Sequence, residues 1–362
     1  MNKITRNTQV LDILNSLYRV ALDKQIIIAD EEYIVSLKTL FTTDTWGYRE
    51  ILLVVLVGMK LDKNYKPSIA LYDCNPRAIY EEPIKQFLLN NGIPHRKSGP
   101  LNIAKATPGL NSNWAKQRKH PSIATEVVNL VKYMESNDTV IDNIGISLLR
   151  LLTLEANIVR NLKVNIPFNV DPEILYTLCC ELINRAADGG NTPQKVVALL
   201  LKNYHAFLKT PIIVRGEQDR ACVTSTTAKK PGDISEESIE GTVYKVYEVT
   251  IKLFGLERIK DSYDNIFRYN QMYNTNINEI IVICRKQDCP NEIKNSGLSF
   301  YLGSYNYQNI KYYYIDIYEW ICYILHHMTP GSRELFYDEL NIYISDINTA
   351  YKVKCIWKEL HQ

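Results

Sequence analysis

Residues 232–252 read GDISEESIEGTVYKVYEVTIK. Side chains two apart on a strand share a face, so Thr242, Tyr244, Val246, Glu248, Thr250 and Lys252 fall on one side of the second half of this stretch. That face passes from apolar and aromatic to ionisable along its length. Between the two halves, Ser235, Glu236, Glu237, Ser238 and Gly241 have the composition of a hairpin turn or short loop. Folding back there brings Asp233 beside the later part of the second strand. Two carboxylates and an ammonium then meet at one end of a sheet.

Hard Mg²⁺ is held by one or two carboxylates together with water and phosphate oxygens, which makes Asp233 and Glu248 the candidate metal ligands and catalytic residues. A metal so held lowers the pKa of an attacking water and offsets charge on the phosphate. Lys252, on the face of Glu248, is the candidate cation for orienting that water or stabilising developing charge. The competing reading is an exposed hairpin with solvated charges. Against it, the strand bearing Glu248 is otherwise largely apolar and aromatic, as a central strand is, and a carboxylate buried there needs a partner. A helical stretch with Arg258, Lys260 and Arg268 follows, and then the strand NEIIVIC.

Outward from this stretch, the texture divides the 362 residues in two. The first half carries apolar residues at helical spacing, including the nine-residue run ILLVVLVGM at Ile51 to Met59. That run is far short of the ~20 residues that span a bilayer, so it is read as a buried helix and no membrane partner is expected. Gly189 and Gly190 close one helix, and Asn191, Thr192 and Pro193 open the next. From Pro211 onward β-branched runs (PIIV, TVYKVYEVTIK, NEIIVIC, IKYYYIDIY) alternate with helical ones. The expected organisation is a mainly helical domain at 1–190, with a soft boundary near 185–195, and a mixed-sheet α/β domain at 191–362.

Formal net charge is only +2 and 46% of residues are hydrophobic, so nucleic-acid affinity must come from local patches rather than bulk charge. One such patch lies between Pro83 and Thr125, with seven Lys or Arg and no acidic residue. Its glycines, prolines and asparagines predict a loop. Arg96, Lys97, Lys105, Lys116 and Arg118 are candidate phosphate contacts, and Asn102 a candidate DNA contact beside them. The alternative is a solvated basic loop packed by Trp114 and Leu101. The eight cysteines include no CxxC pair and no signal peptide precedes them, which predicts reduced thiols in a cytoplasmic protein. GxxxxGK[ST] and zinc-ligand spacings are absent. His326 and His327 lie in a helix-like ICYILHHM, where a core or helix-end role is expected.

The chain resembles the Type II restriction endonucleases of the PD-(D/E)XK superfamily, SacI-like group. PGD (Pro231 to Asp233) stands for the first half of the motif and EVT (Glu248 to Thr250) for the second. Arg77, Tyr80, Gly99, Pro100 and Asn102 echo a pattern of the helical region, although two residues rather than one separate Arg77 from Tyr80, and Gly189 and Gly190 echo a glycine pair before the nuclease domain. The resemblance implies an αβββαβ core, Mg²⁺-dependent cleavage of both strands of a short specific site in double-stranded DNA, a homodimer, and a cognate methyltransferase encoded nearby. Thr250 stands where the family has lysine. Either Lys252 reaches in from one pleat further, or Lys229 or Lys230 substitutes. A catalytically inactive DNA-binding or regulatory protein on the same scaffold is the alternative reading, and a helical scaffold whose basic loop meets acidic protein is a third.

Overall fold

A computed structural model describes residues 3–23, 32–43, 45–95, 102–104, 107–164, 169–217, 230–294 and 296–362. The chain divides into two compact units, Met1–Leu162 and Lys163–Gln362.

The first unit is helical. Its central helix, Gly47–Leu61, is buried from Gly47 through Met59, which bears out the reading of ILLVVLVGM as a core helix. Lys3–Leu22, Pro121–Ser136 and Ile141–Arg160 pack around it through Leu14, Val127, Leu148 and their neighbours. Arg49 is buried in this core, with Nε donating to the Leu40 carbonyl at 3.0 Å, its guanidinium paired with Glu155, and the Phe41 ring 4.5 Å away. A buried charge is tolerable only when compensated in this way. No described helix is long and apolar enough to cross a membrane.

The second unit holds a six-stranded mixed sheet: β1 (Ile213–Arg215), β2 (Ile234–Glu237), β3 (Val243–Thr250), β4 (Glu279–Cys284), β5 (Tyr301–Tyr307) and β6 (Ile310–Asp316), in spatial order β1-β2-β3-β4-β6-β5. β1, β2 and β3 form an antiparallel meander, whereas β3, β4 and β6 run parallel. Parallel neighbours need a crossover, and helix Leu256–Tyr273 supplies it between β3 and β4. Helices cover both faces. Tyr247 and Val249 of β3 point into a core shared with helices Pro172–Arg185, Asn191–Leu208 and Ile317–His327. Val246, Val282 and Tyr314 point the other way, against Phe254 and against Ile259 and Ile266 of the crossover helix.

Four expectations change here. Ser235, Glu236 and Glu237 are strand rather than turn, and the reversal occurs at Ser238 to Thr242, where Gly241 takes φ +88°. Glu236 is tolerated inside the strand because Tyr247 Oη donates to it at 2.8 Å and His205 Nε2 lies 3.1 Å away. The unit boundary falls after Leu162, not near 190, because helix Pro172–Arg185 commits Leu175, Leu178, Leu182 and Ile183 to the sheet-bearing unit. The run IKYYYIDIY stops being strand at Asp316, whose carboxylate accepts from the Tyr318 and Glu319 N–H groups and starts helix Ile317–His327. Strand β5, broken in register near Gly303, was not expected at all.

Candidate active site

Asp233 directly precedes β2, where Ile234 pairs with Tyr247. Its N–H donates to the Tyr247 carbonyl at 3.0 Å, and its Oδ2 accepts from the Val249 N–H at 3.0 Å. The carboxylate is thereby pinned across the β2–β3 pair, beside Glu248. Glu248 points to the crossover-helix side, where Ser262 Oγ donates to its Oε1 at 3.1 Å. Both carboxyls are half-buried and within hydrogen-bonding reach of each other. The pairing expected from the sequence is therefore present.

Burial raises the pKa of both groups. For Asp233, burial outweighs the Val249 N–H and the Arg258 charge. For Glu248, burial and then the Asp233 carboxylate push the value up to about 8, against Arg258 and Ser262. Two carboxylates this close do not ionise together without a counter-charge. A shared proton supplies one; a divalent cation supplies a larger one. Beyond the Val249 N–H on Asp233 Oδ2 and the Ser262 hydroxyl on Glu248 Oε1, the two carboxyls have each other as hydrogen-bonding neighbours, so a hard cation that displaces their shared proton meets an all-oxygen pair of ligands. That donor set fits Mg²⁺, which keeps most of its coordination for water and phosphate. Among the described residues no group of three or more His, Cys, Asp or Glu is arranged to hold a metal.

The supporting residues come from distant parts of the chain. Gln194, in helix Asn191–Leu208 and buried, donates from Nε2 to the carbonyls of Gly216 at 3.3 Å and Asp233 at 3.2 Å. Gly216 takes φ +101°, and a Cβ there would sit 2.2 Å from the Asp233 carbonyl oxygen. At Gly232 a Cβ would meet Val246 Cγ1 at 2.5 Å. The glycine of PGD thus permits close approach of the two strands. Gly190, at φ +108°, takes the left-handed conformation immediately before the helix that carries Gln194.

The lysine expectation does not survive in its strand form. β3 ends at Thr250, whose hydroxyl bonds both the N–H and the carbonyl of Lys252 at 3.1 Å, turning the chain. Lys252 is off the strand and exposed. Lys230 is half-buried, with Glu237 and Arg215 as its charged neighbours, and burial lowers its pKa; Lys229 lies outside the described residues. The cation acting on both carboxylates is instead Arg258, in the first turn of the crossover helix. Its Nη1 donates to Thr250 Oγ1 at 2.6 Å, and its guanidinium lies 4.6 Å from the Phe254 ring centroid. In the sequence Arg258 stands out only as a basic residue of a helix.

In the basic loop, Arg96, Lys97 and Lys105 lie outside the described residues, as do Gly99, Pro100 and Leu101. Asn102 and Lys116 are exposed. Arg118 is half-buried and donates to the Ile103 carbonyl at 2.7 Å and the Trp114 carbonyl at 3.2 Å, while Trp114 Nε1 donates to Ile103 at 2.8 Å. Arg118 therefore braces the loop. Of the motif residues in this unit, Tyr80 is buried with its hydroxyl 2.9 Å from Glu50 Oε1, whereas Arg77 is exposed and pairs with Glu81 at 3.3 Å. His326 and His327 bond carbonyls one turn back, at the end of their helix. Comparison with known proteins finds no match among family models or curated sequences.

Proposed function

We propose that this chain is a Mg²⁺-dependent endonuclease that hydrolyses phosphodiester bonds in double-stranded DNA. The observation that carries this reading is the Asp233–Glu248 pair, delivered by adjacent strands into a half-buried site whose mutual repulsion favours a divalent cation. The arrangement around it supports the same reading: helix Asn191–Leu208, the meander β1-β2-β3, the crossover helix and β4 follow one another in an order like the αβββαβ expected of such a nuclease, with Asp233 directly before the second strand and Glu248 on the third. When bound, Mg²⁺ supplies an acidified water and neutralises phosphate charge. Asp233 and Glu248 would hold it, Ser262 orients Glu248, and Gln194 fixes the backbone of Asp233. In hydrolysis the water oxygen bonds to phosphorus and releases its proton to solvent, while the bond from phosphorus to the leaving sugar oxygen breaks and that oxygen takes up a proton from solvent.

On this reading the substrate is a short specific site, the working unit is a homodimer, and a partner methyltransferase protects the host DNA. Thr250 at the motif-lysine position favours a second reading, a catalytically silent DNA-binding protein on the same scaffold. One assay separates them. Purified protein with Mg²⁺ should cut unmethylated DNA, and Asp233→Ala or Glu248→Gln should abolish cutting while DNA affinity is retained. Binding without cutting by the wild type selects the second reading, and a near wild-type rate in either variant removes the assigned site.

A further inference from the structure

Resting on the nuclease reading, we propose that Arg258 is the catalytic cation of this site, contacting a non-bridging oxygen of the scissile phosphate in place of the missing lysine. Its placement carries the inference. The side chain leaves the first turn of helix Leu256–Tyr273 and reaches the end of β3, where Nη1 is anchored on Thr250 Oγ1 at 2.6 Å. Thr250 occupies the motif-lysine position, so its hydroxyl delivers a cation to the place where a lysine would have supplied one. The guanidinium plane is further fixed against the Phe254 ring at 4.6 Å, and Phe254 itself is 1% exposed. With one nitrogen anchored, Nε and Nη2 have no hydrogen-bond partner among the described residues. A fixed guanidinium with two free donor nitrogens is suited to a tetrahedral phosphate.

The chemistry of arginine also limits what it does here. It stays protonated throughout, so it takes no proton from the attacking water. Its contribution is stabilisation of charge on the phosphorane oxygens, a contact that strengthens as the bond from water to phosphorus forms. In the absence of DNA the same charge opposes binding of a divalent cation to Asp233 and Glu248. Removing it should therefore do two opposite things: tighten metal binding and slow cleavage. A purely structural arginine would produce neither pairing nor sign.

The test uses the full chain, with single-turnover cleavage of unmethylated plasmid DNA in Mg²⁺ and Mn²⁺ affinity measured by calorimetry without DNA. Arg258→Ala should cut about a hundred- to a thousand-fold more slowly, the scale of losing one charge-stabilising donor, yet bind Mn²⁺ several-fold more tightly. Added methylguanidinium should restore part of the rate. Should the alanine variant fail to unfold cooperatively, Arg258→Gln, which keeps an amide donor for Thr250, should show the same slow cleavage. Wild-type cleavage by both Arg258 variants, with Asp233→Ala inert, overturns the arginine assignment and leaves the nuclease reading standing. A loss carried by Lys252→Ala instead overturns it equally. A wild type that cuts no DNA overturns the nuclease reading, and this inference falls with it.

Discussion

Glu248 shows what it costs to place a carboxyl in a strand that is otherwise largely apolar. An acid in the middle of a largely apolar strand is held protonated by burial and by Asp233, with its pKa near 8 against an ordinary 4.5. Between those values the unfolded chain has released the proton and the folded chain retains it, so folding stability of the metal-free protein falls as pH rises from about 4.5 to 8 and levels off above. Glu248→Gln removes the ionisation. Urea unfolding of both proteins at pH 5 and pH 8.5, without metal, should show the glutamine variant losing less stability across that interval; equal losses would contradict the assigned environment. The pair itself was legible because strand periodicity and a turn are both local signals. Arg258 was not, because its partnership with Thr250 depends on how the chain bends after β3 and starts a helix, which no spacing rule specifies. The same bend removed Lys252 from the strand face on which alternation alone had placed it.

At the level of elements, the site depends on backbone approaches that only glycine permits. Gly216 combines a left-handed φ with a contact to the Asp233 carbonyl that leaves no room for a Cβ. Gly216→Ala is expected to destabilise by at least ~1–3 kcal/mol, the usual scale for a residue forced into such a conformation, and to lower activity by displacing Asp233. Gly331, by contrast, opens helix Pro330–Ser345 with nothing near its Cβ direction. There alanine should stabilise by about 0.5–1 kcal/mol. Urea midpoints that move in the same direction for both variants would contradict this account. Gln194→Ala tests the other support: it leaves two buried carbonyls without their donor, a loss of about 1–3 kcal/mol, and should weaken Mn²⁺ binding although residue 194 touches no metal. β1, β3, β4 and β6 were readable from β-branched runs. β5 was hidden because YLGSYNY carries Gly303, Ser304 and Asn306, residues typical of turns, and is held as a strand by its pairing with β6.

Across the whole molecule, the division into a helical part and a mixed-sheet part was plain from the change of texture after residue 210. The position of the boundary was not. An amphipathic helix such as Pro172–Arg185 shows that it has a buried face, and its sequence does not say which core receives that face. Because residues 163–362 contain both cores of the sheet and all the site residues, this segment expressed alone should unfold cooperatively and retain Mn²⁺ binding. If the basic loop of the first unit contacts DNA, the segment should also lose affinity for all sequences, with a shallower salt dependence by roughly one unit for each phosphate contact removed. Unchanged affinity over several salt concentrations would make that loop a packed, solvated surface.

Whether Asp233 and Glu248 form the metal site of a sequence-specific DNA endonuclease is read out by digesting a long unmethylated DNA with the purified protein in Mg²⁺ and sequencing every end produced. The ends should fall within one short recurring sequence on both strands and should vanish with Asp233→Ala or with chelator. Intact DNA, or ends that persist unchanged in the Asp233 variant, would contradict it.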